Sequence, residues 1–358
     1  MQIRKLDRQE HGKTRKLYET VFSEDSKEFV DYYYEWKTRD NLIFVAEDED
    51  GIHAMLHLNP FEVYVEGKIE RLHYIVAVAT QEEYRHQGLM RSLLAAAEQE
   101  MAANGERFTF LMPASEKIYS PFGYLYFAEQ KQAILREMDI DKNIVYAAEI
   151  SKWSVYRCRP VKPTEFQQLA ELVNQILREQ YDIFVWRDSS YYERLRAEQA
   201  CQNGDVMVIV CSDEDGEEQL VGSFCTSCET ETLTANPECQ PDGDRMEQAA
   251  ECVHVRELIL EPDHWEQGME AVMAFCRAYG ANKIEGFNLA MEEADTVEEF
   301  YEEWESVTAE QEQAAYQSVP LLMGKTPAKP VQSMECAEQR SERVFDLAAK
   351  RIFINEVV

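Results

Sequence analysis

The stretch IVAVATQEEYRHQGLMRSLLAAAEQEM, residues 75–101, decides how this chain is read. A β-branched run, Ile75–Thr80, enters a tight turn holding Arg85, His86 and Gly88, and the turn opens directly into an amphipathic segment at helical spacing. The first N–H groups of a helix have no partner within it, and the macrodipole adds partial positive charge there, so the turn has the chemistry of an anion site. Gly88 lets the backbone approach a phosphate closely, while Arg85, His86 and Arg91 add donors or charge. A pyrophosphate suits such a turn, since several amides can grip it without a metal. The same residues also fit a plain strand–turn–helix connection with a surface arginine.

Working outward, the spacing predicts a short strand at Gln2–Lys5, helices over Arg8–Val21 and Ser26–Trp36, and a strand at Leu42–Ala46 that ends in Glu47-Asp48-Glu49-Asp50-Gly51. Asp-Gly between two apolar runs signals a hairpin. Its second arm is about His53–Val65, turning at Glu66-Gly67 into Arg71–Thr80. A helix from Gln87 to about Ala103, a strand Phe108–Met112 and strand character around Tyr124–Met138 follow. The expected fold class is α/β (α+β), with mixed sheets flanked by helices.

Part of this pattern returns. LIFVAEDEDG at 42–51 has a counterpart, MVIVCSDEDG, at 207–216, and each is preceded by a helix with adjacent tyrosines (Tyr32-Tyr33-Tyr34; Tyr191-Tyr192). Gln87-Gly88-Leu89 is echoed by Gln267-Gly268-Met269, the extra spacing being taken up by the polar loop 229–250. Three features in the same order point to a duplicated domain; unrelated halves that share common hairpins are the alternative. The second copy has Asp263-His264-Trp265-Glu266 where the first has Glu83-Tyr84-Arg85-His86. Trp265 replaces a basic residue and Glu266 would repel an anion, so one anion site per chain is expected.

Arg85-His86-Gln87-Gly88-Leu89-Met90 resembles the acyl-CoA pyrophosphate loop of the GNAT (GCN5-related) N-acetyltransferases, with Met90 departing from the usual small last residue. An apolar residue there followed by arginine is typical of the Eis-like (enhanced intracellular survival) branch. Ser115-Glu116-Lys117-Ile118-Tyr119-Ser120-Pro121-Phe122-Gly123-Tyr124 is similar to a second segment of that branch. The resemblance covers roughly residues 1–326, its specific motifs lying within 75–124. It implies two tandem GNAT-like domains, 1–150 binding acetyl-CoA and catalytic, 151–326 degenerate, and after them a third domain resembling sterol carrier proteins; the residues themselves read there as a tail, 327–358, with a helix near Gln339–Lys350 and a closing β-prone segment. It also implies that Val78 and Thr80 pair with the pantetheine arm, and that Arg85, His86, Gln87, Gly88, Leu89, Met90 and Arg91 cradle the pyrophosphate. Tyr119 would return a proton to the leaving thiolate, because aminolysis of a thioester expels one. In that branch the chain's terminal carboxylate reaches the active site, which nominates Val358; the tail here is too short for the branch's third domain. Glu116 and Glu356 are substitute carboxylates, and an unassisted water chain is a further option.

The composition sets limits. Of 358 residues, 36 are Lys or Arg and 68 are Asp or Glu, a formal charge of −32. Residues 1–150 carry 18 basic and 27 acidic side chains, so most of the excess lies in the second half. Such a balance disfavours nucleic acid and anionic membranes, and it argues against an aminoacyl-tRNA substrate. It suits long-range attraction of a cationic amine. No run approaches the ~18 apolar residues of a membrane helix, and the first residues lack the apolar core of a signal peptide. Nine cysteines without an export signal read as reduced thiols in a cytoplasm. Cys225-Thr226-Ser227-Cys228 has no second pair at metal-site spacing, so no metal is expected. The resulting expectation is an acetyl-CoA-dependent N-acetyltransferase for a small-molecule or lysine-type amine, with a non-catalytic CoA-binding module as the alternative. The acceptor, the acyl preference and the choice between a single copy and a homo-oligomer stay open.

Overall fold

The computed structural model describes residues 1–136, 155–213, 215–229, 252–278, 283–287, 315–327 and 350–354. They fall into two units. The first takes Met1–Glu129, Tyr181–Trp186 and Pro320–Val358; the second takes Gln130–Gln180 and Arg187–Val319.

The first unit is a mixed sheet. β1 (Gln2–Lys5), β2 (Leu42–Asp48), β3 (Gly51–Val65) and β4 (Lys68–Thr80) are successive antiparallel neighbours, and β5 (Thr109–Leu111) runs parallel to β4. Val65 pairs with Lys68, so Glu66-Gly67 form a two-residue loop, and both have positive φ (48° and 94°), as a right-twisted hairpin requires. The alternation of β3 splits its side chains between two layers. Ile43, Val45, Met55, Ala77 and Ala79 pack with Leu17 and Tyr18 of α1 (Arg15–Val21) and with Val30 and Tyr33 of α2 (Lys27–Trp36). Ala54, Leu56 and Leu58, equally buried, lie on the opposite face, where α3 (Leu89–Ala103) packs through Leu93, Leu94, Ala97 and Met101. The Ser26 hydroxyl caps α2 by accepting from Phe29 N–H (3.1 Å). Gly105, at φ +77°, closes α3 with Glu106 N–H donating back to Met101 O (3.1 Å). The expected helix over Arg8–Val21 is corrected: Arg8–Thr14 is a tighter three-residue-per-turn helix and only Arg15–Val21 is α. Glu10 folds back toward the Asp7 N–H and is also gripped by Arg4 and Lys13, which fixes that first stretch locally.

Distant pieces of chain complete this unit. α4 (Glu116–Tyr119) leads into β6 (Leu125–Arg136). β8 (Ile183–Val185) pairs antiparallel with the end of β3, and β14 (Ile352–Phe353) runs parallel to β8. Met323–Lys325 of β13 (Ala315–Lys325) lie antiparallel to β5. Buried Phe353 packs on the Tyr181 ring (5.2 Å), and Lys350–Glu66 and Arg351–Asp182 pairs hold the added strand.

The second unit repeats the order. β7 (Tyr156–Pro160), β9 (Val206–Ser212), β10 (Glu218–Glu229) and β11 (Cys252–Leu260) are antiparallel neighbours, β12 (Lys283–Phe287) is parallel to β11, and Gln132–Arg136 of β6 close that edge. α5 (Phe166–Gln180), α6 (Ser189–Ala200) and α7 (Trp265–Ala278) supply its helices. In the first unit Ala79 pairs with Met55 and Val76 with His57, so Ala77-Val78 bulge opposite one residue, with Ala77 at φ 51°. In the second, Ile259 pairs with Ser223 and Arg256 with Cys225, so Glu257-Leu258 bulge likewise, with Glu257 at φ 50°. The two bulges lie 180 residues apart, as do the short helical turns Glu82–Tyr84 and Pro262–His264.

At this last point the two units part company. The residue closing the first turn, Arg85, is extended (φ −64°, ψ 158°), whereas its counterpart Trp265 is helical (φ −61°, ψ −55°). Residues 85–88 therefore form a loop, but residues 265–268 are already the first turn of α7. The echo of Gln87-Gly88-Leu89 in Gln267-Gly268-Met269 thus holds in sequence and fails in conformation: Gly268 sits within a helix against Leu260.

Candidate active site

The loop between β4 and α3 is built to leave donors free. His86 and Gly88 have positive φ (62° and 82°) and Gly88 serves as the N-cap, so α3 begins at Leu89 rather than at Gln87 as expected. No side chain caps it. The first helical bond runs from Ser92 N–H to Gly88 O (3.1 Å), which leaves Leu89, Met90 and Arg91 N–H as the unpartnered first turn that a helix offers an anion. A Cβ added at Gly88 would meet no protein atom within 4 Å, so only backbone conformation and whatever binds there favour glycine. Arg85 Nε donates to Thr80 O (3.3 Å) and Gln87 Nε2 to Glu83 O (3.1 Å), folding the loop onto the end of β4. Arg85, His86, Gln87 and Arg91 are exposed, and Val78, Thr80, Leu89 and Met90 half-buried.

β4 and β5 share the rung Tyr74↔Phe110, beyond which β4 runs on through its bulge to Thr80 while β5 ends at Leu111. The strand edge carrying Val78 and Thr80 therefore continues past the end of its parallel neighbour, the geometry that lets an extended chain add by backbone hydrogen bonds. Tyr74, a residue the sequence did not single out, marks the fork: its hydroxyl accepts from Met112 N–H (3.3 Å).

Tyr119 ends α4 with 8% of its surface exposed and its ring edge-on to Tyr124 (6.0 Å). Burial pushes its pKa up to about 12. No hydrogen bond to its hydroxyl forms among the described residues, so its proton is uncommitted. The segment around it is tied to α3 twice. The Arg91 guanidinium lies over the Phe122 ring (5.0 Å), and Tyr124 OH donates to Glu98 Oε1 (3.3 Å); Lys325 Nζ donates to both Oε1 and Oε2 of the same carboxylate (2.9 Å each). Cradle and tyrosine are thereby held by one helix.

Beneath α2, on the face that carries Tyr74, lies a buried polar knot that sequence reasoning missed. Tyr33 OH bonds His57 Nδ1 (2.9 Å) and receives Asn41 Nδ2 (3.4 Å), and Asn59 pairs across the sheet with Tyr74. Burial pushes the His57 pKa down to about 3, so it is neutral. Its only sequence signal was the polar His-x-Asn step within an otherwise apolar strand.

Glu116, a candidate carboxylate, is exposed on α4. Val358 and Glu356 lie outside the described residues, as does most of the helix expected at Gln339–Lys350. Cys225 is buried on β10. Among the described residues no group of three or more His, Cys, Asp or Glu side chains could hold a metal ion, and no helix is long and apolar enough to cross a membrane.

Residues 2–127 match the family model described as an acetyltransferase (GNAT) domain. No curated protein matches the sequence. Among solved structures, a GCN5-related N-acetyltransferase from Anabaena variabilis superposes with a TM-score of 0.62 at 14% identity, covering 91% of this chain and 73% of that one. A probable N-acyltransferase from Enterococcus faecalis gives 0.61 at 12% identity, covering 92% and 73%. A GCN5-related N-acetyltransferase from Kribbella flavida gives 0.58 at 16%, covering 91% and 71%. At such identities these likenesses speak for the fold. What is shown is thus a match of residues 2–127 to a GNAT acetyltransferase domain model and, over about nine-tenths of the chain, a likeness of fold to these structures.

Proposed function

We propose that the protein is an acetyl-CoA-dependent N-acetyltransferase working by direct attack of an amine on the thioester. The observation that carries this is the uncapped start of α3 behind Gly88, set beside an open bulged strand and a buried, protonated tyrosine. In this reading the pantetheine arm lies along Val78 and Thr80, and the pyrophosphate sits on the Leu89, Met90 and Arg91 amides, with Arg85, His86 and Gln87 around it. The amine nitrogen bonds to the carbonyl carbon, the C–S bond breaks, and the thiolate takes the Tyr119 proton. The amine's own proton goes to a base. Val358 is our candidate, as the resemblance implies, with Glu116 as a substitute carboxylate. The two units are read as tandem copies in the Eis-like arrangement. Only the first retains a cradle, since Trp265–Gly268 have closed into helix.

The test is release of free thiol from acetyl-CoA across a panel of amines. Thiol release with one of them supports the reading, and CoA binding without turnover for any would favour a binding module. Two further outcomes follow. Gly88→Ala must hold alanine at φ +82°, costing about 1 kcal/mol of stability, and it places a methyl where the anion approaches; a roughly tenfold loss of CoA affinity is expected by calorimetric titration. Because Tyr119 keeps its proton up to about pH 12, kcat should show no loss from this group between pH 7 and about 10. An alkaline limb in that range that vanishes in Tyr119→Phe would overturn its assignment as the acid.

A further inference from the structure

His53 lies near the start of β3, with 4% of its surface exposed. Its Nε2 is 2.7 Å from Asp48 Oδ1 and its Nδ1 is 2.9 Å from Gln81 Oε1. The ring stacks on Tyr84 at 3.9 Å and 20°, and Gln81 N–H donates to His53 O (2.9 Å). Gln81 and Tyr84 are the two ends of the turn that delivers Arg85 to the cradle, Tyr84 N–H closing it on Gln81 O (3.0 Å). One side chain thus fastens both ends of that turn to the β2–β3 hairpin.

Both oxygens that face the ring accept, so both ring nitrogens must donate, and the arrangement is satisfied by the imidazolium. The groups around it agree. Asp48 and Asp50 of the hairpin attract its charge, the Tyr84 face receives it, and Glu82 and Glu83 lie exposed in the turn. The amino terminus acts on Asp48. Burial pushes the His53 pKa down, but the Gln81 oxygen and the carboxylates outweigh it and leave the value raised. The brace is therefore complete below the ordinary histidine range and is lost as pH rises through the raised folded-state value. On deprotonation Nδ1 loses its bond unless the Gln81 amide turns over, and the attraction to Asp48, Asp50 and the Tyr84 ring goes with it.

We propose that protonated His53 is a positioning residue of the CoA cradle: it fixes the Gln81–Tyr84 turn from which Arg85 and Gly88 face the anion, so CoA affinity weakens as the medium turns alkaline. This rests on the reading of that loop as a CoA site. The test is titration of CoA into the full-length protein from pH 6.5 to 9. Wild type should lose about fivefold in affinity over that range. His53→Gln should flatten the loss. Asp48→Asn, an exposed hairpin change that folds even if the buried variant does not, should move the step to lower pH. CoA's own phosphate titrates near ~6 in every variant, so differences between proteins report His53. By reciprocity, CoA should raise the pH at which the His53 imidazole proton resonance titrates. Binding whose pH dependence is unchanged in Asp48→Asn, with a His53 resonance indifferent to CoA, overturns the inference and leaves the CoA site standing. Absence of CoA binding at every pH removes both.

Discussion

Tyr119→Phe is expected to lower kcat by about 10²-fold or more while acetyl-CoA affinity stays within about twofold. The split follows from the position of the hydroxyl. Tyr119 is buried beside the Tyr74 rung, and its hydroxyl bonds nothing among the described residues, so removing that oxygen leaves no orphaned partner and little change in packing. Its ring stays wedged against Tyr124, and the cradle, held separately by Gly88 and Arg91, is untouched. In the proposed mechanism, what disappears is the proton. At neutral pH a thiolate leaving without a donor must be protonated by water, in a site whose burial strengthens every uncompensated charge. Steady-state kinetics together with a binding isotherm would check this; an unchanged kcat would remove Tyr119 from the chemistry.

The second large effect is on stability. Arg187→Met should destabilise the second unit by about 3–5 kcal/mol. Arg187 and Glu257 are each nearly sequestered from solvent and joined at 3.1 Å. The backbone of Arg187 is clamped from both sides by Asn174, whose Nδ2 donates to Arg187 O (2.7 Å) and whose Oδ1 accepts Arg187 N–H (3.1 Å). Removing the guanidinium strands a carboxylate among Tyr192, Cys225 and the apolar core beneath α5. Converting both partners, Arg187→Met with Glu257→Met, should recover most of the loss, because the attraction of a buried pair little more than offsets the cost of drying its two charges. Chemical denaturation of both variants decides it. If the single change costs no more than a surface substitution, the pair is not sequestered as described.

The residues themselves explain which features could be read without coordinates. Asp50-Gly51 and Glu66-Gly67 announce hairpins because tight turns need residues that reach positive φ: both loop residues do so at Glu66-Gly67, whereas at the first hairpin Gly51 does so where it pairs with Asp48, just past the loop. The start of α3 was legible for the same reason, and only its first residue was misplaced, since Gly88 in the left-handed region delays the helix to Leu89. The bulge at Ala77 was not legible. Neither Ala77 nor Glu257 is a residue that seeks positive φ, so the conformation is imposed by the register of β3 and β10 across the sheet. β8 and β14, three and two residues long, are too short to carry an alternation. His53 and the Tyr33–His57 knot join residues 24 to 28 positions apart, and Arg187–Glu257 joins residues 70 apart. Proximity of that kind leaves no periodicity. The conformational failure of the Gln-Gly echo teaches the converse: identical dipeptides diverge because Arg85 is extended where Trp265 is helical.

The borrowed strands have a consequence for synthesis. Residues 1–129 emerge early, yet the strands pairing with the end of β3 and with β5 arrive only with residues 183–185, 323–325 and 352–353. At about 5–20 residues per second, the nascent first unit waits roughly 10–45 s on the ribosome with strand edges uncovered. During that interval the growing polypeptide is a natural client for a holding chaperone, and a fragment cut at the end of the matching family segment should be recovered as aggregate.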